Sequence, residues 1–156
     1  MIQTVLLGGL LYSGAGWGSN LGQLELEDQF GQSHSLQQFS GVVLFSASRI
    51  GSNVAQQALN ALSPAEREPL RYVVDISGMP MLVTKLMALP QLRDLGYPVL
   101  LDLDGAPTLA LPRQEDQVTL LCVDSGAVGQ HRFYADGSAL QLALQQPWCR
   151  QRRVER

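Results

Sequence analysis

Three short runs almost free of charge, VVLFSAS at 42–48, LRYVVDI at 70–76 and VTLLCVD at 118–124, constrain the fold of this chain more than any other feature. Aliphatic and β-branched residues occupy both phases of the strand repeat, so each run predicts a strand covered on both faces. A shorter run, PVLLD at 98–102, predicts a further strand closed by the turn DLDG. Between the runs, apolar residues recur at helical spacing: Val54, Ala58, Leu59 and Leu62 in one segment, Leu82, Leu86 and Leu89 in the next. Upstream, Leu24 and Leu26 alternate with Glu25 and Glu27, which predicts a short strand or hairpin turning at Gly31 and feeding a connector that ends at Ser40 and Gly41. Downstream, DSGAVG and QHRFYA predict an antiparallel hairpin with the 118–124 run, and DGSALQLALQQ a final helix. This order implies an α/β fold: a central mixed β-sheet flanked by helices on both faces.

The helix boundaries have their own signals. Behind the loop RIGSN, Ser52 or Asn53 is expected to cap the first helix, and Ser138 the last, which Pro147 ends. Ser63, Pro64 and Glu66 form a capping-box pattern with proline at the first helical position. Gly78 and Pro80 open the middle helix, and Pro90 is expected to kink or end it before Gly96.

With 156 residues, 46% of them hydrophobic, the chain is large enough for one buried core and too short for two ordinary domains. The expected organisation is a domain over 19–148, a leader over 1–18 and a basic tail over 149–156. Net charge is −3 and the basic residues cluster only in that tail, CRQRRVER, so nucleic acid is excluded as a partner. The leader has an apolar stretch at 5–11 followed by small residues, with Ser13-Gly14-Ala15 or Gly16-Trp17-Gly18 as cleavage-like triplets. It reads as a signal peptide, which places the protein in the periplasm or otherwise outside the cytoplasm. Because the leader has no basic residue ahead of its apolar stretch, a flexible N-terminal arm on a cytoplasmic protein is the alternative. The stretch is too short to span a bilayer.

Chemistry-bearing residues are sparse. His34 and His131 stand alone, so no metal is expected. Asp102, Asp104 and Gly105 read as an aspartate-stabilised turn and lack the further oxygen ligands of a calcium loop. The early glycines fit no dinucleotide fingerprint, and no cofactor is expected. Lys85, the only lysine, reads as a charge extending from a helix face. Cys122 reads as a small buried hydrophobe in its strand, and Cys149 as more exposed. Whether the two bond to each other, bond between chains or stay free is open. Arg49 beside a helix N-terminus, with the amides of Ser52, Asn53 and Val54, suits a carboxylate or phosphate group. The alternative is that Arg49 only solvates its loop or pairs with a nearby acid.

The stretches LEDQFGQSHSLQQFSGVVLFSAS, YPVLLDLDGAPTLAL and VTLLCVDSGAVGQHRFYADGSALQLAL, in that order and spacing over residues 22–146, resemble the thioredoxin-like superfamily. The likeness is to its redoxin (AhpC/TSA-like) branch and, more narrowly, to YtfJ-type periplasmic proteins. The resemblance implies a thioredoxin-like fold with redox cysteines at a helix N-terminus. Matching Phe45 and Ala47 to the family's pattern puts the cysteine positions on Ile50 and Asn53, with Gly51 and Ser52 between them. The family's cis-proline falls near Gln117 or Val118, and neither is proline. The expectation is therefore a binding or accessory module in the cell envelope, without conventional thiol-disulfide activity. Its ligand-binding residues would be Ser48, Arg49, Ile50, Gly51, Ser52 and Asn53. Its partner would be a protein or a small anionic ligand, in an oligomeric state the sequence leaves open. The alternative is an atypical thiol oxidoreductase or peroxidase using Cys149 or Cys122 as its catalytic residue.

Overall fold

Side chains alternate across the first uncharged run: Leu44 enters one hydrophobic core, while Val43 and Phe45 enter another on the opposite face of the sheet. The structure, a computed structural model, describes Leu21, residues 24–147 and Cys149; the expected leader and the tail beyond Cys149 lie outside the described residues. The strands are β1 (Glu25–Asp28), β2 (Ser33–Ser35), β3 (Gly41–Ser46), β4 (Leu70–Asp75), β5 (Leu100–Asp102), β6 (Val118–Asp124) and β7 (Ala127–Tyr134). They form one mixed sheet in the order β2-β1-β5-β4-β3-β6-β7. β3, β4 and β5 run parallel, and β1 and β6 flank them antiparallel. β6 and β7 make the expected hairpin, with Ser125 and Gly126 at positive φ in its turn.

Helix α1 (Arg49–Ala61) turns Val54, Ala55, Ala58 and Leu59 into the Leu44 core, where α5 (Gly137–Leu144) adds Leu140. The opposite core is closed by Leu21, Leu24, Leu36 and Leu111 around Phe45. Short α2 (Pro64–Arg67) carries the full Ser63–Glu66 capping box that the sequence announced. Gln29, just past β1, is 1% exposed and links three parts of the chain. Its amide nitrogen donates to the carbonyls of Leu92 and Tyr97, and its oxygen accepts from Val99 N at 2.7 Å.

Several boundaries depart from the sequence reading. α1 is capped by Ser48, whose extended backbone (φ −139°) lets its Oγ accept from Gly51 N; Ser52 and Asn53 lie inside the helix. The first hydroxyl after the strand captures the turn, and the helix starts at once. α5 is capped by Asp136, whose carboxylate accepts from the amides of Ser138 and Ala139, so Ser138 is a receiver of the cap.

The middle helix is the largest difference. It consists of α3 (Met81–Val83), a π turn over Thr84–Ala88 and α4 (Leu89–Arg93). Pro90 does not end it: the helix runs on through the proline to Arg93. A proline has no N–H for the carbonyl four residues back, and the wider turn just before Pro90 accommodates that loss. The extra residue also breaks the helical face read from the spacing: Leu82 and Leu86 are 69% and 67% exposed, while Leu89 packs on the core with Leu92 and Leu95. Among the described residues no helix is long and apolar enough to cross a membrane.

Candidate functional site

The C-terminal ends of β3, β4 and β5 and the N-terminal end of β6 share one edge of the sheet, and α1 begins there. Ser46, the last residue of β3, is fully buried, and its Oγ lies 3.0 Å from both Ser52 Oγ on α1 and Tyr72 OH on β4. This chain of hydroxyls pins the first turn of α1 to the sheet. Burial pushes the Tyr72 phenol above its ordinary pKa, and its bonds to Ser46 and Ser52 offset only part of that rise. Tyr72 is therefore a fixed neutral group beneath the site.

Above it lies the segment 48–53. Gly51 is buried against the segment that precedes β6; a Cβ there would sit 3.0 Å from the carbonyl oxygen of Gln117. Gln117 thus lies against the start of α1. Arg49, Ile50 and Asn53 are exposed, and Ser48 and Ser52 are half-buried. Arg49 has no ion pair among the described residues, so the alternative of pairing with a nearby acid is not what the structure holds. The amides expected to be available were misassigned because the helix starts earlier. Ser52 N donates to Ser48 O at 2.9 Å, and Asn53 and Val54 lie deeper in the helix, so the uncommitted first-turn amides belong to Arg49 and Ile50.

Beside Ser48 a cleft of about 240 Å³ is walled by Phe45, Arg113, Asp116 and Gln117. Arg113 lies over the Phe45 ring at 4.9 Å, donates to Thr108 O at 2.7 Å and reaches Asp75 at 3.3 Å. Burial raises the Asp75 carboxyl, but bonds from Ser77 and the Arg113 charge outweigh it and hold the pKa below the ordinary range. Buried Asp102 anchors the following loop by accepting from the amides of Asp104, Gly105 and Thr108 and from the Thr108 hydroxyl. That is the aspartate-stabilised turn read from the sequence. The residues missed in the sequence were Tyr72 and Arg113; Ser46, a serine ending an otherwise apolar strand, was the legible member of the group.

The cysteines lie elsewhere. Cys122 is bonded to Cys149 with a Cα–Cα distance of 5.5 Å, so it is half of a crosslink and not an isolated buried hydrophobe. Cys122 pairs with Val42 at the start of β3, four residues from Ser46, so the disulfide is about 13 Å along the strand from the α1 edge. Of the two histidines, His34 bonds Asp28 at 2.7 Å and His131 packs edge-on against Phe133.

No family model and no curated protein matches the sequence. Solved structures do match by shape. The exposed lipoprotein thioredoxin of Streptococcus pneumoniae is 17% identical, covering 78% of this chain and 97% of its own, with a TM-score of 0.53. The bacterioferritin comigratory protein of Xanthomonas campestris is 16% identical over 80% and 92%, at 0.54. A thiol:disulfide interchange protein of Chlorobium tepidum is 17% identical over 83% and 97%, at 0.52. The chain has the thioredoxin-like fold that these proteins share.

Proposed function

We propose that this protein is a binding or accessory module built on the thioredoxin-like fold, using residues 48–53 as its recognition segment. One observation carries the reading. The helix start that would hold a redox pair presents Ile50, 55% exposed, and Asn53, while both sulfurs of the chain are bonded to each other about 13 Å away along the strand. Thiol chemistry at a helix N-terminus needs a thiolate at that terminus.

A protein partner fits this edge better than a small anion alone. Exposed Ile50, Met79 and Leu103 follow the ends of β3, β4 and β5 by one to four residues, exposed Met81 and Leu109 lie further along the same connections, and Arg49 adds one positive charge. Exposed apolar groups gathered near one end of a sheet suit a protein contact. An oxidising location in the cell envelope agrees with the leader-like sequence and with the Cys122–Cys149 bond, since such bonds persist outside the cytoplasm. The matched pneumococcal protein is itself described as an exposed lipoprotein.

The test is a photo-crosslinking residue placed at Ile50, with a control at exposed Ser125 on the hairpin turn, in cells producing the full chain. A discrete adduct formed only from position 50 and lost in Arg49→Ala is the expected result. Equal adducts from both positions, or none from position 50, would remove the reading.

A further inference from the structure

At the opposite edge of the sheet, where β4 begins and α1 ends, lies a separate cavity of about 300 Å³. We propose that it binds a small carboxylate with an apolar body, such as an arene or short alkyl acid. Two arginines line it. Arg67 NH1 donates to the carbonyls of Leu59 and Leu62 at 3.1 and 2.8 Å, and its guanidinium lies 5.2 Å from the Tyr97 ring centre. Arg71 NH1 donates to the carbonyls of Glu68 and Leu70 at 3.0 and 2.9 Å, and its guanidinium lies 4.9 Å from the Phe39 ring centre.

These bonds orient both guanidinium groups without neutralising either. Among the described residues the ion pairs are His34–Asp28 and Arg113–Asp75, so neither cavity arginine has a carboxylate partner. Glu68, which pairs with neither arginine, is the one carboxylate in the lining, and the His34 ring there is already bonded to Asp28. Two arginines against one carboxylate leave the wall with a positive excess. The guanidinium nitrogens other than NH1 remain for a ligand, and their fork matches a carboxylate. The rest of the wall is apolar, from Leu59, Leu70, Tyr97 and Pro98, and the volume is at the small end of ligand sites. Both residues line the cavity, and a purely structural role, bonding the nearby carbonyls, uses NH1 alone.

The experiment titrates benzoate, hexanoate, acetate and benzyl alcohol into the full chain and follows backbone amides by NMR. Benzoate or hexanoate should saturably shift the amides of Leu70, Arg71 and Tyr97. Acetate, lacking the body, and benzyl alcohol, lacking the charge, should bind at least about tenfold more weakly. Arg71→Gln should weaken the acid by about tenfold or more. A second variant does not touch the arginines: Gly96 lines the cavity, and a Cβ there meets nothing within 4 Å, so Gly96→Phe should fill the space and abolish binding with the fold intact. The proposal is overturned by no saturable shift up to about 10 mM acid, by equal binding of benzyl alcohol, or by unchanged affinity in folded Arg71→Gln. If Arg71→Gln does not fold, Gly96→Phe decides: full binding there overturns the proposal and lost binding supports it.

Discussion

Replacing Cys122 and Cys149 together by serine opens a covalent loop that ties the segment after α5 back to β6. The two residues are 27 apart in sequence. Closing a loop of that length removes about 12 cal/mol/K of unfolded-chain entropy, so the native state should lose about 3.5 kcal/mol at 25 °C when the bond is absent. Both half-cystines sit against the core shared by α1 and α5, beside Ala143 and Leu144, so the bond also fixes the end of α5 onto the sheet. The assay is equilibrium unfolding in guanidinium chloride of oxidised wild type, reduced wild type and the double variant. Reduced wild type and the variant should agree with each other and fall about 3.5 kcal/mol below the oxidised protein. The reasoning is refuted if the variant lies within about 1 kcal/mol of oxidised wild type, or if reductant destabilises the variant as much as it does wild type.

Further perturbations probe other parts of the account. Gln29→Leu strands the carbonyls of Leu92 and Tyr97 and the amide of Val99 in the interior; unfolding should show a loss of about 3 kcal/mol or more. Gly126→Ala places a Cβ 2.4 Å from the Gln37 carbonyl oxygen at φ +78°, so about 2 kcal/mol or more should be lost and the β6–β7 turn amides should exchange faster. For Asp28, burial raises the carboxyl pKa, but the His34 bond and the amides of Gln32 and Phe30 outweigh it, leaving the folded value below the ordinary one. Its contribution is therefore complete above the unfolded pKa of about 3.9 and lost as pH falls through the lower folded value; His34→Ala should move Asp28 upward in an NMR titration and shift acid unfolding to higher pH. Asp102→Asn replaces one of the two carboxylate oxygens, each of which accepts two hydrogen bonds, by an amide nitrogen that faces either the Thr108 amide and hydroxyl or the Asp104 and Gly105 amides; about 2 kcal/mol and the order of the loop at 103–111 should be lost, read by amide exchange.

Much of the fold was legible because its strands have no competing interpretation. VVLFSAS, LRYVVDI and VTLLCVD have few polar groups to satisfy outside a sheet, and the DSG turn leaves β6 and β7 one way to pair. The capping box at Ser63 was visible for the same local reason: both partners lie within one turn. What failed depended on distance. Leu82 and Leu86 have the spacing of a buried face, but the π turn ahead of Pro90 rotates them to the surface. The cap was read at Ser52 or Asn53, and Ser48 takes it instead; the close approach of Gly51 to Gln117, over sixty residues downstream, accompanies the earlier start. The same applies to the site: its missing cysteines were plain in the letters, but the bond that occupies both sulfurs was left open, and the Ser46–Ser52–Tyr72 chain joins three elements.

The central claim is that this thioredoxin-like fold works without a reactive thiol. It is tested most directly by measuring, site by site with mass spectrometry, how fast Cys122 and Cys149 are alkylated in the native protein across pH, before and after brief exposure to glutathione. The account expects no labelling before reduction and slow labelling afterwards, gated by unfolding of the segment that the bond holds. Rapid labelling of either cysteine at neutral pH after mild reduction, together with turnover of a disulfide or peroxide substrate, would contradict it and make that cysteine the nucleophile of an oxidoreductase.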